Sequence, residues 1–600
     1  MEAIEFYRKR LEASGDQLEK LKKKSRRLVS IRVFSFLLTL ILFYLLVAVS
    51  LWLAIAVSAV LLGVFIAVII RDQQNKKQIR YRQVLKKINE DEIAFLEGKF
   101  SQFADGKEFI DPNHDFAYDL DVFGPASLFQ FINRTETGTG RQALADIFNE
   151  FLPAVKIAQR QKALQELSGI PEWMQEFRAA GRLEMSGEES TAGIRQWLSL
   201  PGQFLKRKSL QWLIRVLPVL NIAALLLSIF LLPVGYLVIL LIISFLINYR
   251  EMRNVNKIHG SLSGKDEELT GLSRLLHMIE QKDFQTDLLK DLKKQTEVNG
   301  KKASATLKDL SVLSKRFDYR LNDYVAIPLN LFLFWDIHHA FLVEKWKEQH
   351  RSKVEDWFRT IAEFDALVSL GHLAFNMEEW IFPEIENRFF SLEAEKMGHP
   401  LIHPEQRVYN DFSLNGKGKI ALVTGSNMSG KTTFLRTVGV NLLLARMGAP
   451  VCAKKFFFSP VKILSSMRIS DSLAENTSSF YAELKRLKNI LDKVRRKEKA
   501  ILLLDEILKG TNSRDRHIGA DALLKQLVKN EAAGLLATHD LELSVLEKEM
   551  PENISNYNFD VQISGTELYF DYKLHRGICK SMNATILMKK IGIDIDAPDQ

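Results

Sequence analysis

Ile420-Ala-Leu-Val-Thr-Gly425-Ser-Asn-Met-Ser-Gly430-Lys431-Thr432 is the stretch that decides how this chain is read. From Gly425 on it fits the pattern Gly, four residues, Gly-Lys-Ser/Thr. The apolar run Ile420 to Val423 predicts a buried strand before it, and the spacing from Thr433 onward predicts a helix after it. In that setting the glycines let backbone N–H groups turn inward around phosphates, and the helix N-terminus adds its positive dipole end. Lys431 is placed to reach the β- and γ-phosphates of ATP, and Thr432 to hold Mg²⁺.

Downstream, Ile501-Leu-Leu-Leu-Asp505-Glu506 predicts a buried strand that delivers two carboxylates to its C-terminal end, where ligands bind in parallel sheets. Asp505 is the candidate that holds Mg²⁺ through water, and Glu506 the one that orients and polarises the attacking water. A third strand, Gly534-Leu-Leu-Ala-Thr538, ends in His539, which can sense the γ-phosphate or position water; a purely structural histidine is the other reading. From about 401 to 600 such strands alternate with helical segments, the texture of an α/β domain with a largely parallel sheet. Residues 113–215 and 250–400 read as helical, with Arg141 to Phe151 and Val155 to Leu167 as clear cases.

Two runs interrupt that plan. Val33 to Ile70 and Val216 to Tyr249 carry no charge over 38 and 34 residues. A spanning helix needs about 20 apolar residues, so each run predicts two short spans. The second breaks at Pro233 and Gly235; the first is expected to turn near Ser50. All four flanks are basic: Lys20 to Arg32, Arg71 to Arg82, Lys206 to Arg215, and Arg250 with Arg253. The positive-inside rule puts all four in the cytoplasm, which requires two hairpins. Buried core helices and a nucleic-acid patch are the weaker readings of these runs and flanks, and the first run starts too late for a signal peptide. The expected division is therefore 1–112 with the first hairpin, 113–215 helical, 216–249 second hairpin, 250–400 helical, and 401–600 the ATPase domain. Composition agrees with a folded protein: 600 residues, 47% hydrophobic, 26% charged, net charge +9. Two cysteines exclude a disulfide framework and a four-cysteine zinc site.

The C-terminal 200 residues resemble the ATPase domain of the MutS family of DNA mismatch-repair proteins. The resemblance runs through His399-Pro-Leu-Ile, then Thr424 to Thr433 with Asn427 and Met428 matching. Asp471-Ser-Leu-Ala-Glu-Asn-Thr-Ser-Ser-Phe480 with Glu483 is similar to the family's signature loop. Asp505-Glu506 with Lys509-Gly-Thr511, and Ala537-Thr-His539, complete the series. Upstream, Asp119-Leu-Asp-Val-Phe-Gly124, Ser127-Leu-Phe129, Asn133-Arg-Thr135, Thr137, Gly140, Arg160-Gln161 and Leu164 resemble the start of its helical core. The resemblance implies an ABC-type P-loop ATPase using ATP and Mg²⁺, with Gly425, Asn427, Met428, Ser429, Gly430, Lys431, Thr432 and Thr433 at the nucleotide. It implies a homodimer, with Ser478 of one subunit touching the other's γ-phosphate and Gly577 to Ile593 as dimerisation element. Catalysis falls to Glu506, His539 and Ser478, and metal binding to Thr432 and Asp505.

The sequence departs from the family in places. Ser426 and Ser429 stand where the family usually has Pro and Gly. The 110 residues before the core leave no room for the mismatch-reading domain, and Phe95-Leu-Glu97 reads as a chance match to its wedge. Two functions stay open: an ATP-driven switch acting on mismatched or branched DNA, and a membrane scaffold or signalling ATPase that has lost DNA. Transport is disfavoured because no LSGGQ-like helix start follows the loop; Leu262-Ser-Gly-Lys265 lies far before it. The expected location is a bacterial-type inner membrane, multi-pass, with N-terminus, core and ATPase domain cytoplasmic.

Overall fold

The computed structural model describes residues 2–184, 192–231, 233–298, 300–426, 428–468, 479–564 and 567–579. Two helices, α1 (Glu2–Val47) and α2 (Leu51–Leu96), each of 46 residues, pair antiparallel. Asn75 Nδ2 donates to Leu21 O and Ser25 Oγ to Asp72, which fixes the pairing. The chain turns between Val47 and Leu51, at the Ser50 picked out in the sequence. At 1.5 Å per residue each helix is about 70 Å long, which sets the apolar tip far from the charged root. Phe34, Tyr44 and Trp52 at the tip are exposed, whereas Tyr7, Leu85, Ile88 and Phe95 at the root are buried against the body.

That body is helical: α3 (Gly138–Asn149), α4 (Ala154–Ser168) and α5 (Pro171–Glu184). A second antiparallel pair follows, α6 (Lys208–Phe230) and α7 (Val234–Leu262), broken at Pro233. Among the described residues, α1, α2, α6 and α7 are the four single helices long and apolar enough to cross a membrane. Then come α8 (Asp266–Gln281), α9 (Ala303–Phe317), α10 (Asp323–Leu333) and the 42-residue α11 (Trp335–Asn376). The chain bends by 80° between α10 and α11, at Phe334 in the left-handed region. α11 packs on α3, α4, α5, α7, α8 and α9 and forms the axis of the body.

One contact on that axis is unusually tight. Thr137 caps α3 by accepting the Gly140 N–H, and its hydroxyl donates to Asp365 of α11. The same carboxylate accepts the backbone N–H groups of Glu136 and Thr137. A Cβ at Gly140 would sit 2.2 Å from Asp365 Oδ2. Gly140→Ala therefore pushes a buried carboxylate off its donors. It should cost about 3 kcal/mol, combining overpacking with unsatisfied buried groups, read as a lowered melting temperature. A variant melting with the parent would refute this.

The helical region ends earlier than the sequence suggested. α11 stops at Asn376, and β1 (Glu384–Ile385) and β2 (Ser391–Met397) already lie in a sheet before residue 401. β2 alternates buried Leu392 and Ala394 with exposed Glu393 and Glu395, but its Glu, Ala, Lys and Met residues are helix formers, which masked the pattern. A second small ladder pairs Glu297–Val298 with Lys301–Lys302, where none was expected. β3 (Asn410–Asn415), β4 (Ile420–Gly425) and β5 (Lys455–Phe458) follow, and β1, β5, β2 and β3 form one four-stranded sheet in that order.

The remaining strands are β6 (Lys462–Ser466), β7 (Ala500–Asp505), β8 (Ala533–Thr538), β9 (Ile554–Ser564) and β10 (Glu567–Arg576). With β4 they make a six-stranded sheet, ordered β10-β9-β4-β8-β7-β6 and parallel except for the β9–β10 pair. Its central strands β4, β8 and β7 are buried on both faces, as continuous apolar strands require. Ala421, Val423, Ile501 and Leu503 face the main core with α12 (Lys431–Arg446). Leu422, Leu502, Leu504 and Leu536 face a second core with α13 (Ser479–Arg495) and α14 (Ser513–Lys529).

Candidate nucleotide site

β4, β8 and β7 run side by side, with Val423 opposite Ala537 and Ala537 opposite Asp505. Parallel pairing in this register brings three strand ends to one edge. The residues that leave those ends therefore meet although they are distant in sequence.

The Gly425–Thr432 loop joins β4 to α12. Gly425, Met428 and Gly430 have φ of 151°, 65° and 106°. A Cβ on Gly425 would lie 2.8 Å from Ser429 Oγ and 2.9 Å from Phe559 O, so the loop closes only with glycine there. Gly430 is the N-cap of α12, which aims that helix's free N–H groups at the loop. Lys431 is 5% exposed, and its Nζ donates to Gly425 O and Ser426 O, both at 2.9 Å. Burial lowers its pKa, while the charges of Glu506 and Asp505 oppose the shift.

Thr432 Oγ1 donates to Asp505 Oδ2 at 2.6 Å. Asp505 Oδ1, Ser426 Oγ and Ser429 Oγ are buried without a partner among the described residues. A buried polar atom left unpaired costs about 1–3 kcal/mol, so these three mark where an anion and a divalent cation would be accepted. Glu506 follows with φ of 46°, its N–H held by Ala537 O at 2.9 Å. His539 Nε2 lies 2.8 Å from Glu506 Oε1 and 3.3 Å from Lys431 Nζ, and Lys509 Nζ lies 2.9 Å from Glu506 Oε2. The two neighbouring carboxyls are driven apart in acidity. Burial raises Asp505, whereas the His539 hydrogen bond, then Lys509, holds Glu506 down to about 2.

The structure thus gathers Gly425, Ser429, Gly430, Lys431, Thr432, Asp505, Glu506 and His539 at one place. Met428 is 79% exposed on the outside of the loop, and Thr433 is exposed on the first turn of α12. Asn427, Ser478 and residues 580–593 of the expected dimerisation element lie outside the described residues. Three residues at the site were not expected to shape it. Lys509 holds Glu506. Glu483 of α13 accepts the Leu508 N–H and so braces the turn after Glu506. Tyr572 of β10 comes within 3.1 Å of a Cβ on Gly430, beside the loop. Glu483 and Lys509 stood in quoted motifs; Tyr572 had no local signal, because only the β9–β10 hairpin brings it there. A further brace comes from the helical region: Asp119 accepts Ser465 Oγ, the N–H groups of Met467 and Arg468, and Arg486.

Comparison with known proteins agrees in the same region. Residues 421–593 match the family model described as MutS domain V. The chain is 31% identical over 252 residues to the DNA mismatch repair protein MutS of Thermotoga maritima, covering 41% of this chain and 31% of that one. It is 34% identical over 226 residues to MutS of Acetivibrio thermocellus (36% and 25%), and 32% identical over 237 residues to MutS of Aquifex pyrophilus (39% and 27%). The chain therefore spans a third or less of the length of these curated relatives.

Proposed function

We propose that this chain, whose residues 421–593 match MutS domain V, is a membrane-embedded, dimeric, Mg²⁺-dependent ATPase of the MutS family, acting as an ATP-driven switch. One arrangement carries the reading: the Thr432–Asp505 pair with a free buried oxygen, beside Lys431 and the Glu506–His539 contact. Bound ATP with Mg²⁺ supplies the phosphoanhydride bond and a charge-neutralised γ-phosphate. The loop N–H groups, Ser429 and Lys431 hold phosphate oxygens. Thr432 and Asp505 hold the metal, and Glu506 orients water with His539 beside it. The resemblance adds Ser478 of the second subunit.

Four helices of sufficient length and apolarity, exposed apolar tips, and basic flanks on every side support two cytoplasm-rooted membrane hairpins. A bacterial-type inner membrane fits that arrangement, with core and ATPase domain in the cytoplasm. The MutS relatives make mismatched or branched DNA the first effector to test. The two hairpins standing within the helical body favour a second reading, in which the engine drives a membrane scaffold without DNA.

The deciding experiment measures phosphate release by the full chain in lipid nanodiscs. It is run alone and with perfect, mismatched and branched duplexes, beside Glu506→Gln as blank. A duplex-dependent rate supports the DNA reading, and the most effective duplex names the substrate. Hydrolysis indifferent to all three selects the scaffold reading. Phosphate release no higher than from protein-free nanodiscs overturns the ATPase assignment.

A further inference from the structure

α10 is too short to cross a membrane. Its 11 residues reach about 16 Å against a hydrocarbon core of about 30 Å. Yet its sequence, Asp323-Tyr-Val-Ala-Ile-Pro-Leu-Asn-Leu-Phe-Leu333, is almost entirely apolar, and only Ala326 in it is buried. Tyr324 is 94% exposed and Ile327 59%, with Leu321 at 68% just ahead.

Two observations say what covers this face. The first is how the helix ends. Carbonyls of a last helical turn lack intrahelical partners. Here Asn221 of α6 donates to Leu331 O at 3.0 Å and to Ser244 Oγ of the helix's other neighbour at 2.9 Å, and Asn248 of α7 adds a second donor, at 3.0 Å, to Asn330 O, which already accepts the Phe334 N–H. Asn221, Ser244 and Asn248 all lie inside the uncharged 216–249 run. Side-chain amides placed on helix-end carbonyls at that level are what a site without water demands. The second is continuity. α10 packs on both α6 and α7, so its exposed apolar residues extend their apolar surface. At the bend, Tyr319 and Trp335 stack at 6.1 Å, an aromatic pair of the kind found at headgroup level.

We propose that α10 lies in the same bilayer as the second hairpin, as a short helix confined to the cytoplasmic leaflet, its Tyr324–Ile327 face covered by acyl chains. This rests on the membrane reading above. It gives the long helix α11 a lipid foothold: α11 starts at the bend and ends at Asn376, which touches Tyr7 and Glu92 at the root of the first hairpin.

The test places a bimane on Ile327→Cys in the full chain, with Cys452→Ser and Cys579→Ser as background, in nanodiscs of ordinary or brominated lipid. Tyr324→Cys serves if Ile327→Cys does not fold. Leu226→Cys, exposed on α6, reports the hairpin, and Lys529→Cys reports water. Brominated chains should quench residue 327 about twofold, as they do 226, and leave 529 unchanged. Quenching at 226 but not at 327 overturns the proposal and leaves the hairpin in the membrane, with protein or water on α10. Quenching at neither overturns the membrane reading, and the proposal with it.

Discussion

Glu506→Gln should lower ATP hydrolysis by about 10²- to 10³-fold while nucleotide affinity changes little, because a group positioned to stabilise the developing charge electrostatically contributes in that range. Glutamine keeps the shape and can still accept from Lys509, so the loop is not expected to collapse. The phosphate-holding groups, Lys431 and the loop N–H groups, are untouched. What disappears is the negative charge that the proposed mechanism uses to polarise water at the end of β7. With Glu506 held down to about 2 by His539 and Lys509, the carboxylate stays ionised at any working pH. At that acidity it is a weak proton acceptor, so its effect in this arrangement is orientation and polarisation. Movement of Lys509 or His539 away from it would raise its basicity. Phosphate release and nucleotide binding, measured on the same preparation, separate the two effects. A variant that binds normally and hydrolyses at the parent rate would remove Glu506 from the mechanism.

The loop, Asp505, Glu506 and His539 were legible because their chemistry sits in short local patterns: a glycine spacing, and apolar runs ending in polar residues. Their convergence follows from parallel pairing, which the alternation of strand and helix already implied. Tyr572 and the bracing by Asp119 were not legible, since each depends on a tertiary approach between distant segments. The four long apolar helices showed as charge-free runs. α10 did not, because Asp323, Pro328 and Asn330 within 11 residues defeat any test scaled to a full span. β2 was missed for the opposite reason: its alternation was present but written in helix-forming residues.

The second large effect is expected where the first hairpin meets the body. Glu92 is fully buried near the end of α2 and lies 2.7 Å from Arg134 and 2.6 Å from Arg178. Its second oxygen accepts from Asn376 of α11 at 2.8 Å. The Arg134 guanidinium sits 3.6 Å from the centre of the Phe103 ring and 4.3 Å from that of Phe95, and neither aromatic face replaces a countercharge. Glu92→Ala leaves the buried Arg134 without a carboxylate and Arg178 with only its longer 3.3 Å contact to Glu136, which should cost about 3–5 kcal/mol. The exposed Lys86–Glu90 pair on the same helix is the control: Glu90→Ala should cost under about 1 kcal/mol, because solvent screens that pair. Thermal unfolding of the two variants compares them directly, and equal melting temperatures would sink the argument. The cluster also decides how the hairpin is joined to the rest of the chain. Glu92 touches the segment before α3, the helix α5 and the end of α11, so one carboxylate fastens the hairpin root to three parts of the body. In Glu92→Ala, protease cleavage should therefore appear first in the root of α1 and α2, before the β-sheet domain is cut. Cleavage beginning instead in the sheet would mean the root is held by apolar packing of Leu85, Ile88 and Phe95, with the ion cluster contributing little.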